Sequence, residues 1–537
     1  MVITPDSKIK LIKNPLKLDS NNEIMFTNAQ AQYNYFNSLP KLEFDELTYV
    51  RKEGVLRIET DPSGDGITYE DLLGYNFCMY QNTHFDNKWF YAFITDVSWI
   101  NPSLTELKLE TAYFQTWQFD LVFMDSFIEQ EHVNDDTIGK NTIPEGLETG
   151  EFICNDISRI DLGLTWYVMG VTKKYDSTPQ WSRGGGIYNG IYSGKTYYAL
   201  RTTADVDYLI NMYDSAGYGE DIAELFIVPA KLIGNPTYDP QNPIYRILQS
   251  ATQEEVESIT LSRPSSLNGY SPKNNKLLTY PYQYLLVDNS AGNSTEYHYE
   301  LFNNPSSCKF SVIGSLTPGT SMILLPIAYI NSNANPTEGS YTTANLLNYG
   351  MALAKYPACN WNTDLYTNWL TQNGVNMQYA QYSSMVQGII GGLSNESLEK
   401  GIIQGSIGGI NAVTNNMLQR YNHSFSPNQT KGNANSGDII TSAHSNNPFF
   451  YKMSIKYEYA KMIDDYFSMF GYKVNRLGKP HLHARQYYDY IKTIDINIEG
   501  NIPETDLNQI RNMFNNGIRF WHDTTHYLDF SVNNSII

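Results

Sequence analysis

The chain has few charged residues, and basic residues are the scarcer kind. Only 17% of its 537 residues are charged, and 56 Asp and Glu residues outnumber 37 Lys and Arg residues, for a formal net charge of −19. Affinity for nucleic acid comes mainly from Lys and Arg, so this composition excludes a general nucleic-acid-binding protein. Any DNA that meets the chain is expected to slide past it.

Cysteines and long apolar runs are also scarce. Cys78, Cys154, Cys308 and Cys359 lie far apart and form no CxxC pair. This spacing indicates neither a disulfide framework nor a zinc site and favours free thiols made in a reducing cytoplasm. The N-terminus lacks the apolar stretch of a secretory signal, and no apolar run predicts an ordinary transmembrane helix. We therefore expect a protein that is made inside a cell and released by lysis.

Neutral polar side chains take the place of the missing charges. The sequence contains 42 Tyr residues together with many Asn and Ser residues. Tyr has a rigid, half-apolar face with a hydrogen-bonding tip, which suits large protein–protein interfaces. This composition is common both in virion components and in ordinary secreted β proteins, and it does not separate the two.

The first part of the chain predicts antiparallel β structure. Residues 47–50 and 55–58 flank a turn at Arg51–Gly54 and predict a hairpin. Lys88–Ile100 is rich in aromatic and β-branched residues, which favours a strand. Leu104–Thr111 alternates between an apolar and a polar side, which predicts a half-buried strand with one wet face.

The middle and the end of the chain predict mixed structure. From about 150 to 345, strand-like pieces alternate with Gly/Pro/Asn loops, at Trp166–Thr172, Glu224–Val228, Leu277–Val287 and Lys309–Ile313, and Ala204–Tyr213 predicts a helix. Residues 446–537 predict two successive β-α-β units. Their elements are strands at Phe449–Tyr457, Tyr472–Leu477, Tyr490–Glu499 and Ile518–Trp521 and helices at Glu458–Phe470 and Glu504–Asn516.

The composition of one segment, Met385–Val413, differs from that of a globular core. It has seven glycines among 29 residues and only three charges, Glu396, Glu399 and Lys400, all central. Two apolar arms therefore flank a polar tip. The arm residues of interest are Met385, Val386, Gly388, Ile389, Ile390, Gly391, Gly392, Leu393, Ile402, Ile403, Gly405, Ile407, Gly408, Gly409, Ile410 and Val413.

The glycine spacing of this segment suits an environment other than water. Glycines recur four residues apart, at Gly388 and Gly392 and at Gly401, Gly405 and Gly409. In lipid this spacing lets helices pack closely, whereas in water each glycine costs a helix about 1 kcal/mol relative to Ala. Each arm covers about half of a ~30 Å hydrocarbon core, so one chain cannot span a bilayer but a ring of hairpins could.

We interpret Met385–Val413 as a membrane-active loop, with Glu396 and Glu399 as a pH-sensitive tip. The alternative is a Gly-rich loop packed inside an oligomer that never touches lipid. Trp361–Tyr382, before the loop, is compatible with a helix, and the Asn/Ser/Gly-rich stretch Thr414–Asn447 predicts a flexible return tether.

Patterns that imitate functional sites are incomplete. Asp61–Gly66 begins like a calcium loop, but the twelfth position, which needs a carboxylate, is Leu72. His522 and His526 are four residues apart without the Glu of a zincin motif, and we interpret them as surface histidines. His481 and His483 follow a proline and predict a loop. We name no catalytic, cofactor-binding or metal-binding residue and expect no enzyme.

Eight stretches carry a resemblance to a known family. They are Gln32–Ser38, Met79–Phe93, Gln115–Asp120, Ser126–His132, Asn141–Leu147, Tyr280–Tyr282, Phe470–Pro480 and Asp506–His522. In the same order along the chain, these stretches resemble the distal tail-tube (tail knob) proteins of the small phi-twenty-nine-like podoviruses, whereas residues from about 150 to 275 depart from the resemblance.

The resemblance implies a homohexameric, β-rich tube at the tip of a virion tail. In that family, apolar loops from six subunits plug the lumen and later leave it to form a membrane channel for DNA. The family's loop occupies the position that Met385–Val413 has here. The implied partners are further copies of the chain, the lower collar and other tail proteins, host membrane lipid, and genomic DNA in transit.

The expected fold class is mixed and β-rich (α+β), an antiparallel, multidomain, tube-forming subunit. Two other functions remain open: binding of host cell-wall glycan without membrane activity, and degradation of the cell wall. The expected domains are 1–150, an N-terminal β tube domain; 151–290, a variable knob domain; 291–360, a β segment completing the knob or tube; 361–447, a helix, the apolar loop and the tether; and 448–537, a C-terminal α+β domain.

Overall fold

The structure is a computed structural model whose contacts divide into two compact units. Unit 1 consists of Met1–Glu148, Lys273–Asn275 and Lys461–Ile537, and unit 2 of Thr149–Pro272 and Lys276–Ala460. The residues described are 7–47, 54–61, 63, 66–82, 87–163, 165–176, 180–189, 191–239, 244–249, 255–289, 292–314, 316, 321–330, 349–355, 358–360, 433–435 and 447–537.

Strands predominate within these residues. In chain order they are β1 (Ser7–Ile12), β2 (Asn22–Ile24), β3 (Lys41–Leu47), β4 (Val55–Glu59), β5 (Phe77–Asn82), β6 (Trp89–Asn101), β7 (Leu104–Thr111), β8 (Leu121–Phe123), β9 (Ser126–Glu131), β10 (Phe152–Arg159), β11 (Thr165–Val171), β12 (Lys173–Asp176), β13 (Gln180–Arg183), β14 (Gly186–Tyr188), β15 (Ile191–Ser193), β16 (Thr196–Leu200), β17 (Ile222–Pro229), β18 (Thr237–Asp239), β19 (Ile244–Arg246), β20 (Glu257–Ser262), β21 (Gln283–Asp288), β22 (Ser294–Tyr297), β23 (Ser307–Ile313), β24 (Ser321–Ile327), β25 (Met351–Lys355), β26 (Ala358–Asn360), β27 (Asn433–Asn435), β28 (Phe449–Ile455), β29 (Tyr472–Gly478), β30 (Tyr488–Asp495), β31 (Ile498–Gly500) and β32 (Ile518–Trp521).

Helices are fewer and mostly short. They are α1 (Ala29–Ser38), α2 (Tyr69–Leu72), α3 (Tyr113–Trp117), α4 (Thr203–Ser215), α5 (Ala230–Ile233), α6 (Tyr457–Phe470) and α7 (Glu504–Asn516), with 3-10 turns at Gly219–Asp221, Asn275–Leu278, Tyr299–Leu301 and Thr524–His526. The expected mixed, β-rich fold class is confirmed.

Unit 1 is built on two sheets. A six-stranded antiparallel sheet has the order β3-β1-β5-β6-β7-β4, and a five-stranded sheet has the order β2-β32-β30-β9-β29, in which β2 and β32 are parallel. The buried face of α7 packs into their shared core, where the Phe114 and Phe520 rings lie 4.7 Å apart. Strands from both ends of the chain therefore share one core.

Unit 2 has a larger set of sheets. Seven strands have the order β18-β19-β16-β11-β17-β26-β27, and two four-stranded sheets have the orders β10-β28-β21-β22 and β20-β23-β24-β25. Buried aromatic rings fill the core, and Phe310 lies between Tyr297 at 5.1 Å and Phe450 at 5.0 Å. The Tyr-rich composition thus serves packing as well as surface.

Several element predictions are confirmed. Leu104–Thr111 is β7, and its apolar side is buried as the alternation indicated. The predicted helix Glu504–Asn516 is α7, followed by Gly517 with φ of +95°. The predicted helix Ala204–Tyr213 lies inside α4, whose first turn is closed by a capping box from Thr202.

The predicted hairpin of residues 47–50 and 55–58 stays a prediction, because residues 48–50 lie outside the described residues. β4 pairs with β7, whereas β3 pairs with β1 at the other edge of the six-stranded sheet. The pairing places Leu56 of β4 opposite Leu107 of β7, and both side chains are buried. Burial of these two side chains favours this long-range pairing in its observed register.

Two strand predictions were too long. The stretch Leu277–Val287 begins in a 3-10 turn, and its strand starts only at Gln283, after Pro281, which has no backbone N–H to donate. The stretch Tyr490–Glu499 is divided between β30, which pairs with β32 and β9, and β31, which pairs with β8.

Candidate functional site

The chain segment that carries the predicted membrane-active residues begins and ends at one sheet edge. β26 pairs with β17, and β27 pairs antiparallel with β26, so that Asn360 lies opposite Asn433. Asn360, the last described residue before the segment, and Asn433, the first described residue after it, are therefore neighbours at the edge of the described sheet. β27 also lies within Thr414–Asn447, where the sequence predicted only a tether.

The predicted site residues themselves are not located. Met385–Val413, including both arms, Glu396 and Glu399, lies outside the described residues, and so does the predicted helix Trp361–Tyr382. Their membrane activity stays a prediction. Within the part of the chain that the structure describes, no helix combines the length and the apolar character needed to cross a bilayer.

A buried ion pair includes a residue of β17, the strand that pairs with β26. The Lys195 Nζ lies 2.7 Å from Oε2 of Glu224, and the two side chains are only 4% and 0% exposed. Glu224 belongs to β17 and lies opposite Asn360 of β26. Breaking such a pair leaves an uncompensated charge in a dry site, which costs about 3–5 kcal/mol.

The surroundings of this pair exclude water. A Cβ added to Gly170 would lie 2.6 Å from Oε1 of Glu224, so only glycine fits there. Burial, together with the nearby Glu224 carboxylate, raises the pKa of Tyr197 well above its ordinary value. The ion pair is thus enclosed by tightly packed neighbours, and it joins Lys195 to Glu224 of β17.

In unit 1, stretches that carry the family resemblance meet in the five-stranded sheet. Ser126–His132 contains β9, Phe470–Pro480 contains β29, and Asp506–His522 contains most of α7 and all of β32. Far apart in the sequence, they become hydrogen-bonded neighbours or pack against the same sheet.

Glu131 is the charged centre of this sheet. Its carboxylate is fully buried, lies 2.6 Å from Nε of Arg476, and accepts a hydrogen bond from the backbone N–H of His481. Burial acts to raise the pKa of Glu131, but the hydrogen bonds from His481 and Arg476 outweigh it and hold that pKa below its usual value. The group is therefore ionised and ties β9 to β29 and the following loop.

A cluster of His483, Asp489 and His522 lies beside this loop. One ligand atom from each residue lies within 4.8 Å of the other two. His522 Nε2 is 2.8 Å from Oδ2 of Asp489, and the His483 and His522 rings meet edge to face with centroids 4.3 Å apart. Burial and the neighbouring His522 lower the pKa of His483.

The sequence patterns did not predict this cluster. His522 was expected at the surface, but its side chain is only 8% exposed because β32 pairs with β30 and brings it to Asp489. His483 does lie in a loop, as predicted, and is exposed. The only available signal was the occurrence of two separate histidine pairs, and their proximity depends on strand pairing.

Unit 2 carries an aromatic cluster on its seven-stranded sheet. The Tyr245 ring lies 5.3 Å from Trp166 and 4.6 Å from Tyr238, which is 49% exposed. The Arg201 guanidinium lies 4.9 Å from both the Trp166 and Tyr245 rings. This group, the Trp166 cluster, presents partly exposed rings beside a cation.

The whole fold resembles that of a solved phage tail protein. The tail knob protein gp12 of bacteriophage C1 matches with a TM-score of 0.65 over 99% of this chain and 100% of that chain, at 16% sequence identity. The fold is therefore that of a tail knob protein. A model of the caudoviral major tail protein N-terminus also matches residues 5–122.

The chain belongs to the family of the Bacillus phage phi29 tail knob protein gp9, whose C-terminal-domain model matches residues 247–535. It is 26% identical to the tail knob protein gp9 of phi29 and 24% identical to that of Bacillus phage B103, in each case over 97% of both chains. The chain is thus a structural component of the virion tail of a short-tailed phage.

Proposed function

We propose that six copies of this chain form the distal tube and knob of the tail, through which the genome is ejected. The lower collar and other tail proteins are the expected neighbours. Negative-stain images of the purified protein should show a ring with sixfold symmetry, and a monomeric particle without a central hole would contradict this proposal.

The apolar segment Met385–Val413 first plugs the lumen of this tube and then enters the host membrane. The observation that supports this role is the pairing of β26 with β27, which places Asn360 and Asn433, the described residues before and after the segment, side by side at one sheet edge. A segment held in this way can move outward while the sheet stays intact. Within the ring the apolar arms would bury each other, and after release burial in lipid would replace those contacts.

The charge of the chain suits DNA passage. A net charge of −19 per copy gives the oligomer an acidic character that repels phosphates. Repulsion would keep DNA from adhering to the wall, so that passage is rapid and independent of sequence. We propose no catalytic activity for this chain.

Dye release from liposomes tests the membrane role. The full-length protein should release dye, and more strongly as the pH falls towards the ordinary glutamate pKa of about 4.3, because proton uptake by Glu396 and Glu399 eases entry into lipid. A variant with serine at Ile389, Ile390, Ile402, Ile403, Ile407 and Ile410 keeps the loop length and should lose most of the release. The matched control carries serine in place of tether asparagines such as Asn415, Asn416 and Asn422 and should behave like the parent.

Undiminished leakage from the variant with six serines would contradict the membrane role. If that variant still forms the ring, the failure concerns the loop alone. If the parent protein itself forms no ring, the proposal of a tube fails instead. Measuring assembly and leakage on the same samples separates these two outcomes.

A second candidate function is recognition of host cell-wall glycan. The Trp166 cluster favours it, because exposed aromatic faces stack on sugar rings and the adjacent Arg201 supplies hydrogen-bond donors. Tyr238→Ala should weaken sedimentation with purified cell walls, whereas Tyr208→Ala, at another exposed tyrosine in unit 2, should not. Equal sedimentation of both variants and the parent would remove this candidate.

A further inference from the structure

His483, Asp489 and His522 have the composition of a metal-binding site. Two imidazoles and one carboxylate are a ligand set that Zn²⁺ accepts, with a water molecule at the fourth position. Ligand atoms on one tetrahedral Zn²⁺ lie about 3.3–3.5 Å apart, given bonds of about 2.0–2.2 Å. The three ligand atoms here lie within 4.8 Å of one another, so small side-chain rotations would close them around an ion.

The Asp489 carboxylate provides an independent indication. Its side chain is 0% exposed, and its Oδ1 has no hydrogen-bond partner among the described residues. The nearest candidate, Nδ1 of His132, is 3.9 Å away and already accepts a hydrogen bond from the backbone N–H of Tyr490. A buried carboxylate with a donor missing at one oxygen is costly, and a cation bound at the other oxygen, Oδ2, which faces His522, would offset that cost.

The second oxygen of Asp489 is fixed in place. The backbone N–H groups of Ala484 and Arg485 donate to Oδ2 at 3.0 and 3.3 Å. The same loop is held from behind by Asn534, whose side-chain oxygen accepts from the backbone N–H of Tyr487 at 2.9 Å. Such outer hydrogen bonds orient metal ligands and reduce the cost of assembling a site.

We propose that His483, Asp489 and His522 bind one divalent transition-metal ion, with Zn²⁺ as the best match. The exposed His483 leaves a coordination position open to water. The ion joins the loop before β30 to β30 itself and to the end of β32. Its role is therefore to fasten this corner of the five-stranded sheet, independently of the loop that we assign to the membrane.

Titration of the untagged, full-length protein with Co²⁺ and Zn²⁺ tests the site. Tetrahedral Co²⁺ bound to the parent should absorb strongly in the visible range, and calorimetry should give one Zn²⁺ per subunit. His483→Gln, which changes an exposed ligand and preserves the fold, should weaken binding at least tenfold. Asp489→Asn should abolish the Co²⁺ band.

His526→Gln is the matched control, because His526 lies four residues from His522 but pairs with Asp523 at 2.8 Å. It should bind like the parent. Zn²⁺ should also raise the melting temperature of the parent and of His526→Gln but not of His483→Gln. Equal binding by His483→Gln and the parent, or no binding by the parent, would overturn the proposal and leave an ordinary Asp–His hydrogen bond.

Discussion

The two units hold distant parts of the chain by different means. In unit 1, β2 pairs with β32, and β9 lies between β29 and β30, so the two ends of the chain share one continuous sheet. In unit 2, the segment between Asn360 and Asn433 is attached through β26 and β27, strands of three residues each. In unit 1 the two ends of the chain are joined by the hydrogen bonds of a continuous sheet. In unit 2 Asn360 and Asn433 are joined by the short strand pair β26-β27, which lies next to β17 and its buried Lys195–Glu224 ion pair.

Lys195→Met should have the largest effect and should destabilise unit 2 while leaving unit 1 unchanged. It leaves Glu224 buried without its partner, and we expect unit 2 to lose about 3–5 kcal/mol of unfolding free energy. Hydrogen exchange of β17 and β26 should accelerate, while the sheets of unit 1 keep their protection. Urea unfolding combined with peptide-resolved exchange measures both effects.

Two further variants distinguish the effect of leaving Glu224 without its partner from the effect of removing a lysine side chain. Lys195→Met combined with Glu224→Met should recover most of the stability, because packed apolar side chains replace buried ion pairs with little loss. Lys231→Met removes an ion pair with Glu257 at the surface of the same unit and should cost far less than Lys195→Met. Similar losses from Lys195→Met and Lys231→Met would show that the buried pair has no special role.

Gly471→Ala tests the close packing of the residue after α6 against the backbone of β9 in unit 1. Gly471 has φ of +66°, and an added Cβ would overlap the backbone carbonyl of Glu131 in β9. A side chain in the left-handed region costs about 1–2 kcal/mol, and the overlap with sheet backbone adds to this. We expect unit 1 to lose about 3 kcal/mol, measured by denaturant unfolding.

The matched control is Gly217→Ala in unit 2. Gly217 has φ of +76°, but no heavy atom lies within 4 Å of the added Cβ. Only the conformational cost remains, about 1–2 kcal/mol. If both substitutions cost the same, close packing of Gly471 against β9 contributes nothing and the role of that contact in unit 1 is smaller than the structure suggests.

Local sequence patterns predicted where strands and helices occur better than they predicted which strands pair. The alternation in β7 could be recognised because one face is wet, and α7 coincides with the predicted helix Glu504–Asn516. The partner of β4 was missed because pairing with β7 depends on residues about fifty positions away. Strand prediction from periodicity therefore carries no information about sheet order.

The candidate sites show the same division. The composition of Met385–Val413 was visible at once, since glycine and apolar residues are concentrated there. Its attachment through β26 and β27 was not, because three-residue strands with the sequences ACN and NAN have no alternating pattern. The His483, Asp489 and His522 cluster likewise forms only after β30 and β32 have paired.

The smallest expected effect is a pH dependence of the stability of unit 1 that arises from Glu23. Burial, with a smaller contribution from Asp19, raises the pKa of Glu23 from 4.5 to about 8, against the opposing hydrogen bond from Gln115. The folded state therefore keeps a proton that the unfolded chain releases above about pH 4.5. The stabilisation is complete below that pH and is lost as the pH rises towards 8.

Glu23→Gln should remove this dependence while keeping the side-chain shape and an acceptor for Gln115, whose Nε2 lies 2.8 Å from Oε2 of Glu23. We expect the variant to be more stable than the parent by about 1–3 kcal/mol at pH 8 and similar to it near pH 4.5. Other titrating groups, including the nearby Asp19 and Tyr527, are common to both proteins, so the difference between the two stability–pH curves isolates Glu23. Parallel curves across this range would mean that Glu23 is ionised in the fold and that β2, despite its place at the sheet edge beside β32, admits enough water to solvate a carboxylate.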